Sequence, residues 1–344
     1  MSRQVRRAVT VALLIAWLQQ PSAAEPSTPG THHDPIAAPA APPTPWIDQG
    51  TSPVTDVPAE PPAADHRVAA ALTLGGIYAG FTTWTYFAWY RKHKPLAQFA
   101  VGGDGWFGVR TYAGGADKLG HAWATMSLAR LGTELLHQWG GFSTTTSVVV
   151  STALSEALFL GVEVKDGFFY EFSLSDATFD TIGAGVALAL SLSPRLDELF
   201  DYRVQYWPSP AYRRQFDGGN VNIAEDYSGE IYLLALHLGG IHALRDQPWG
   251  RWTRFVDVAA GFGTRGYKPD PPSRMLPDYD HHQNMYFGVS LNAQGLLDYL
   301  LDGRSDTAKK ITHGLFEVFN APYTFLPLIQ DSRTPTGTVA GGGA

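Results

Sequence analysis

Between residues 66 and 193 long apolar runs are broken by polar residues at roughly helical spacing, the 3.6-residue signature of packed helices. The first run, VAAALTLGGIYAGFTTWTYFAWY at 68–90, ends in aromatic residues and is followed at once by Arg91, Lys92, His93 and Lys94. That length, aromatic end and positive flank predict a membrane-spanning helix, with a buried core helix as the other reading. Three more helices are expected: 117–138, where Leu119, Ala122, Met126, Ala129 and Leu131 interleave with polar positions; 146–164; and 176–193, ended by Pro194. Gly132, Gly161, Gly183 and Gly185 would let their backbones approach closely. Beyond Pro194 the pattern changes to short segments, 230–241, 255–264 and 285–297, separated by a proline-rich loop at 265–282. Their alternation is too weak and their number too small to predict an outer-membrane barrel. The chain thus reads as mainly α: a bundle of about four apolar helices over 66–200, a smaller mixed α/β C-terminal region over 201–330, and a disordered tail at 331–344.

The first 65 residues have another character. Arg3, Arg6 and Arg7 precede an apolar stretch, Ala8 to Leu18, and the small residues Ser22, Ala23 and Ala24 follow. That is the layout of an export signal over 1–24, with an uncleaved anchor as the alternative. Residues 25–65 are rich in proline, alanine, serine and threonine and read as a disordered linker. The formal net charge of -7 and the lack of a nucleic-acid-reading motif argue against a nucleic-acid partner. With no cysteine there is no disulfide, catalytic thiol, thiolate metal site or lipid-attachment cysteine.

Charged residues inside the apolar helices carry the candidate chemistry. Asp117 and His121 are four apart, as are Asp176 and Asp180, and Glu156 and Glu163 are seven apart, so each pair shares a helix face. Three helices turning such pairs inward would resemble a carboxylate-lined bundle site. Asp117, His121, Glu156, Glu163, Asp176 and Asp180 form a donor set suited to a divalent metal. His121, Glu163 and Asp166 could equally do acid–base work if burial shifts them toward neutral pH. Structural readings stand beside these: Ser173 or Ser175 can cap the third helix, and Lys118 and Lys165 can act as counter-ions. His281 and His282 beside Asp278 and Asp280 read as a solvated loop cluster, and Gly102 to Gly105 as a turn.

At these residues the chain resembles the YfiM-like family of bacterial envelope proteins, described as periplasmic lipoproteins of unknown function. The matching pieces are D-K-L-G-H at 117–121, V-E-V-K-D-G at 162–167, and F-S-L-S-D at 172–176 followed by D-T-I-G-A-G. E-D-Y-S-G-E-I-Y at 225–232 is similar to an acidic–aromatic motif of longer members. The order of motifs is also similar, more remotely, to VanZ-like membrane proteins. The resemblance points to Asp117, Lys118, His121, Glu163, Asp166, Ser173 and Asp176, and departs at Asp180, where asparagine would be expected. With no cysteine to lipidate, a helical anchor becomes the expected membrane tie.

The sequence therefore leads to an exported protein of the bacterial envelope, membrane-associated and exposed to the periplasm, with membrane lipid as a partner. Two functions remain open. One is hydrolysis or transfer on an envelope lipid or glycan precursor; the other is a scaffold that binds an envelope protein and uses its buried charges for helix register.

Overall fold

A computed structural model describes residues 66–334, apart from 104, 218, 220, 268–280 and 303–304. The expected export signal and linker, and Asp278 and Asp280, lie outside the described residues. Four long helices carry the first half: α1 (Arg67–Thr85), α2 (Ala116–Glu134), α3 (Thr144–Phe169) and α4 (Leu174–Leu192). The helices α1 and α2 each end in a five-residue π-turn, Tyr86–Tyr90 and Leu135–Trp139. Helix α2 packs along both α3 and α4, while α1 rests on the second π-turn through Ala70, Leu74 and Leu136. Ser143 caps α3 and Ser173 caps α4, each accepting a backbone N–H three residues on, which satisfies one orphan donor per helix.

Among the described residues one helix is long and apolar enough to cross a membrane, and it is α3 rather than the expected 68–90. Gly75, Gly76, Gly80 and several threonines dilute α1. Of the most apolar stretch of α3, 44% is buried inside the protein, and its last turns carry Glu163, Lys165 and Asp166. It packs against α2 and α4 and leaves Val149, Leu154 and Val164 exposed.

The C-terminal half is a six-stranded sheet in the order β7-β3-β4-β5-β6-β8. Its strands are β3 (Phe200–Tyr206), β4 (Glu230–His237), β5 (Val256–Arg265), β6 (His282–Leu291), β7 (Phe319–Asn320) and β8 (Phe325–Arg333). All pairs are antiparallel except β3 with β7. Strand β8 takes the chain to Arg333, into the segment expected to be a tail, because Gln283 to Ser290 of β6 pair with it. A separate parallel pair, β1 (Val101–Gly102) and β2 (Phe172–Ser173), ties the loop before α2 to the start of α4.

Strands β7 and β8 sit at opposite ends of the strand order yet are separated only by residues 321–324. Four residues reach at most about 14 Å, so the sheet curls until its ends meet. Asn320 Nδ2 and the Phe325 amide both donate to Gln205 Oε1, at 3.1 and 3.4 Å, and Ser290 Oγ donates to Asn320 Oδ1 at 3.0 Å. Inside the curl lie Leu233, Ala235, Ala259 and Phe325, with an ionic network beside them. Arg203 donates to Asp201 and to Asp257 (2.8 Å), and His237 bridges the same two aspartates at 2.9 and 2.8 Å. On the outside of the curl, Val204, Tyr232, Tyr202 and Phe262 pack against Ala116, Leu119 and Trp123 at the start of α2, joining the sheet to the helices.

Candidate functional site

The site begins with a left-handed turn. Ala113, Gly114 and Gly115 have φ of 51°, 63° and 91°, and a Cβ on Gly115 would stand 2.5 Å from Phe107 Cδ1 and 2.9 Å from Trp106 O. The turn delivers Asp117 into the first turn of α2, where the helix dipole favours an anion. One turn on is His121. Helix α4 comes close at Gly183, where a Cβ would lie 2.2 Å from Ala122 O. That approach brings Asp180 Oδ1 to 3.0 Å from His121 Nδ1, and the same oxygen accepts from Thr125 Oγ1 at 3.1 Å.

From α3, Glu163 places Oε1 3.7 Å from His121 Nδ1, and its Oε2 accepts the Ser173 amide at 3.3 Å. On the other side of the ring, Asp117 Oδ1 is 3.9 Å from Nε2 and accepts from Tyr227 Oη at 2.6 Å. Lys118, fully buried, lies 3.1 Å from Asp117 and 2.5 Å from Asp176. Asp166 accepts from Tyr90 Oη at 2.6 Å. Of the residues singled out in the sequence, Asp117, His121, Glu163, Asp166 and Asp176 line one cavity, and Asp180 backs His121. Glu156 is not among them: two turns earlier on α3, it accepts from Thr181 Oγ1 of α4 at 2.7 Å. Lys165 lies over the Tyr90 ring at 3.8 Å. His281 stacks on Tyr267 at 4.3 Å between centroids, away from this cavity.

Burial lifts Glu163 to about 8, helped by Asp176, Asp180 and Asp166 and opposed by His121. Burial also lifts Asp166 to about 6 against the Tyr90 hydrogen bond, and Asp176, beside Asp117, to about 7. For Asp117 the desolvation cost is outweighed by His121, Lys118 and Tyr227, and its pKa falls. His121 would lose its proton to burial alone, but the Asp180 hydrogen bond and the nearby carboxylates raise it well above its ordinary range. Several groups that titrate near neutrality thus share one space, which is what proton transfer requires.

The cavity has a volume of about 680 Å³. Besides the acids it is lined by Phe81, Trp84, Trp89, Phe159, Val162 and Phe319. A second, apolar cavity of about 350 Å³ lies further along α1 and α3, between Leu74, Gly75 and Tyr78 on one side and Val150 and Leu154 on the other. The rings of Phe81 and Phe159, 5.5 Å apart edge to face, line the large cavity on the same two helices.

Two donor sets, Asp117–His121–Asp176 and His121–Glu163–Asp180, have ligand atoms within 4.8 Å of one another. In the first, the Lys118 ammonium already bridges both aspartates. In the second, Asp180 Oδ2 is buried with no hydrogen-bond partner, and two carboxylates with an imidazole suit a hard or borderline divalent cation.

Tyr112, Glu225, Tyr227, Glu230 and Tyr232 also line the cavity, although helix-face pairing does not point to them. Four of them come from the E-D-Y-S-G-E-I-Y segment, so its acidic–aromatic pattern was the available signal; Glu230, buried and hydrogen-bonded by Tyr232 at 2.7 Å, is raised to about 8.

No curated protein and no solved structure matches the chain. Residues 103–192, which carry the D-K-L-G-H, V-E-V-K-D-G and F-S-L-S-D pieces but not the later acidic–aromatic segment, match the model of a family described as predicted periplasmic lipoprotein (DUF2279). The part of the chain that supplies most of the acidic floor is therefore similar to a periplasmic envelope family.

Proposed function

We propose that this protein is a cell-envelope enzyme carrying out hydrolysis or group transfer on a lipid-linked precursor. The observation that carries the reading is His121, held through Nδ1 by Asp180, beside a Glu163 whose pKa is about 8, on the floor of an aromatic-walled cavity. A carboxylate behind a histidine fixes its orientation and stabilises its charged form. In this reading His121 is the acid–base group, Glu163 supplies or takes the second proton, and Asp166, held by Tyr90, adds to the field around them. Were a divalent cation held between His121, Glu163 and Asp180 instead, it would take the place of those protons and polarise a substrate oxygen. The aromatic wall of the cavity, and the separate apolar cavity further along α1 and α3, favour a lipid over a glycan, since they offer hydrocarbon contact and few hydrogen bonds. The similarity to predicted periplasmic lipoproteins supports a periplasmic setting; the narrower YfiM-like and VanZ-like resemblances rest on the short motifs alone.

A scaffold is the second reading, favoured by the internal partners of the acids: Lys118 for Asp117 and Asp176, Tyr90 for Asp166, Ser173 for Glu163. Thermal melts of the parent, His121→Ala and Glu163→Gln, each with and without Mg²⁺, Mn²⁺, Ca²⁺ or Zn²⁺, separate the two. A metal-dependent rise of several degrees in the parent, lost in both variants, is expected for the enzyme. A large fall in melting temperature in both variants with no metal response in the parent would establish the scaffold instead.

A further inference from the structure

The sheet is amphipathic in the opposite sense to one that faces water. Across its strands the outward rows are Leu236–Val258–Val289–Leu326 and Leu234–Ala260–Phe287–Ile329, and the next row begins Tyr232–Phe262–Met285. The inward rows hold Asp201, Arg203, His237, Asp257, Asn284 and Ser290, all buried. Near β3 and the Tyr232 and Phe262 ends of β4 and β5 the outer face is covered by α2 and Phe107, but across β6 and β8 it is open. Phe287 is 50% exposed, Leu326 59% and Ile329 64%.

The two ends of this band differ from its middle. Where β5 begins stand Trp249, Trp252 and Tyr299, more than half exposed, with Arg251 over the Trp252 ring at 5.2 Å and Arg254 beside the Tyr299 ring at 6.0 Å. At the other end are Arg265, Asp331 and Arg333, all exposed. From Val256 to Phe262 the band runs roughly 20 Å at about 3.4 Å per residue, more than one leaflet of a hydrocarbon core about 30 Å thick and less than the whole.

We propose that this outer face docks into one leaflet of a bilayer containing anionic headgroups. With the strands lying along the membrane surface, the hydrocarbon would meet the Phe287, Leu326 and Ile329 rows, and both polar ends, Trp249, Trp252, Arg251 and Arg254 at one and Arg265, Asp331 and Arg333 at the other, would lie at headgroup level. Aromatic residues with arginine at one end of an apolar band match an interfacial belt. A second copy added edge to edge on β8 is disfavoured by Pro327, Asp331 and Arg333 on that strand, since proline and charge blunt a sheet edge. The inference is independent of the chemistry of the acidic cavity.

The test is co-flotation of the full chain with phosphatidylglycerol–phosphatidylethanolamine vesicles, at low and high salt and against phosphatidylcholine alone. The triple variant Phe287→Asp, Leu326→Asp, Ile329→Asp should bind at least about tenfold more weakly, and Arg251→Ala with Arg254→Ala should lose most of the salt-sensitive part. A second measurement tolerates a misfolded triple variant. As the chain has no cysteine, Ile329→Cys and Lys310→Cys can each carry one polarity-sensitive fluorophore. A blue shift on vesicles at 329 and none at 310 supports the docking. Vesicle binding with 329 still in water, or a lipid-free dimer that buries 329, overturns it.

Discussion

His121 and Glu163 hold protons that an ordinary histidine and glutamate would release at the same pH, and this has a measurable sign. The folded-state pKa of Glu163, about 8, lies above its ordinary value, so folding favours the protonated acid. That contribution is complete below about pH 4.5 and is lost as the pH rises through 8. Glu163→Gln keeps the neutral form at every pH. In metal-free buffer above pH 8 it should therefore be more stable than the parent, by on the order of 1–3 kcal/mol, read as a higher melting temperature, while losing any response to divalent cations. His237 gives a second pH signature away from the cavity. Faced by Asp201, Asp257, Arg203 and Asn292, it is raised to about 9, the aspartate hydrogen bonds outweighing its burial. Its stabilisation is complete below about pH 6.5 and disappears as the pH climbs through 9. His237→Gln should flatten the decline in melting temperature over that window.

At the scale of elements, close approach decides whether the site exists. Gly183 lets α4 touch Ala122, so Gly183→Val should destabilise the protein by about 2–4 kcal/mol and pull Asp180 from His121. A metal-dependent melt would register both effects. Ser173→Ala removes the α4 cap and should cost about 1 kcal/mol, with a further loss if the Glu163 contact at the Ser173 amide shifts. The helices were legible because their apolar spacing persists over many turns, and the Asp117–His121 and Asp176–Asp180 faces followed from it. Glu156 was misleading because seven residues along α3 keep a face but advance about 10 Å, enough to exchange the cavity for Thr181. The strands of the C-terminal half were harder to read. Their inward positions include Ala235, Ala259, Gly261, Gly263 and Gly288, which blur the contrast that an alternating pattern needs. Their outward positions are apolar where a soluble sheet would be polar. Tyr227 and Glu230 reach the cavity through tertiary packing, which no local period encodes.

At the scale of the whole molecule, the acidic cavity is shared between the two halves of the chain. The helices give Asp117, His121 and Glu163, whereas Glu230 and Tyr232 from β4 and Phe319 from β7 close it. Trp123 of α2 donates to the Val318 carbonyl at 2.8 Å, so the wall is bonded to the floor across nearly 200 residues of sequence. The junction at 321–324, where the sheet's two ends meet, places the completing strand near the C-terminus. The cavity wall is incomplete until Phe319 has folded back onto the start of α2. A chain cut before Phe319 would keep Asp117, His121 and Glu163 yet leave them open to water on that side.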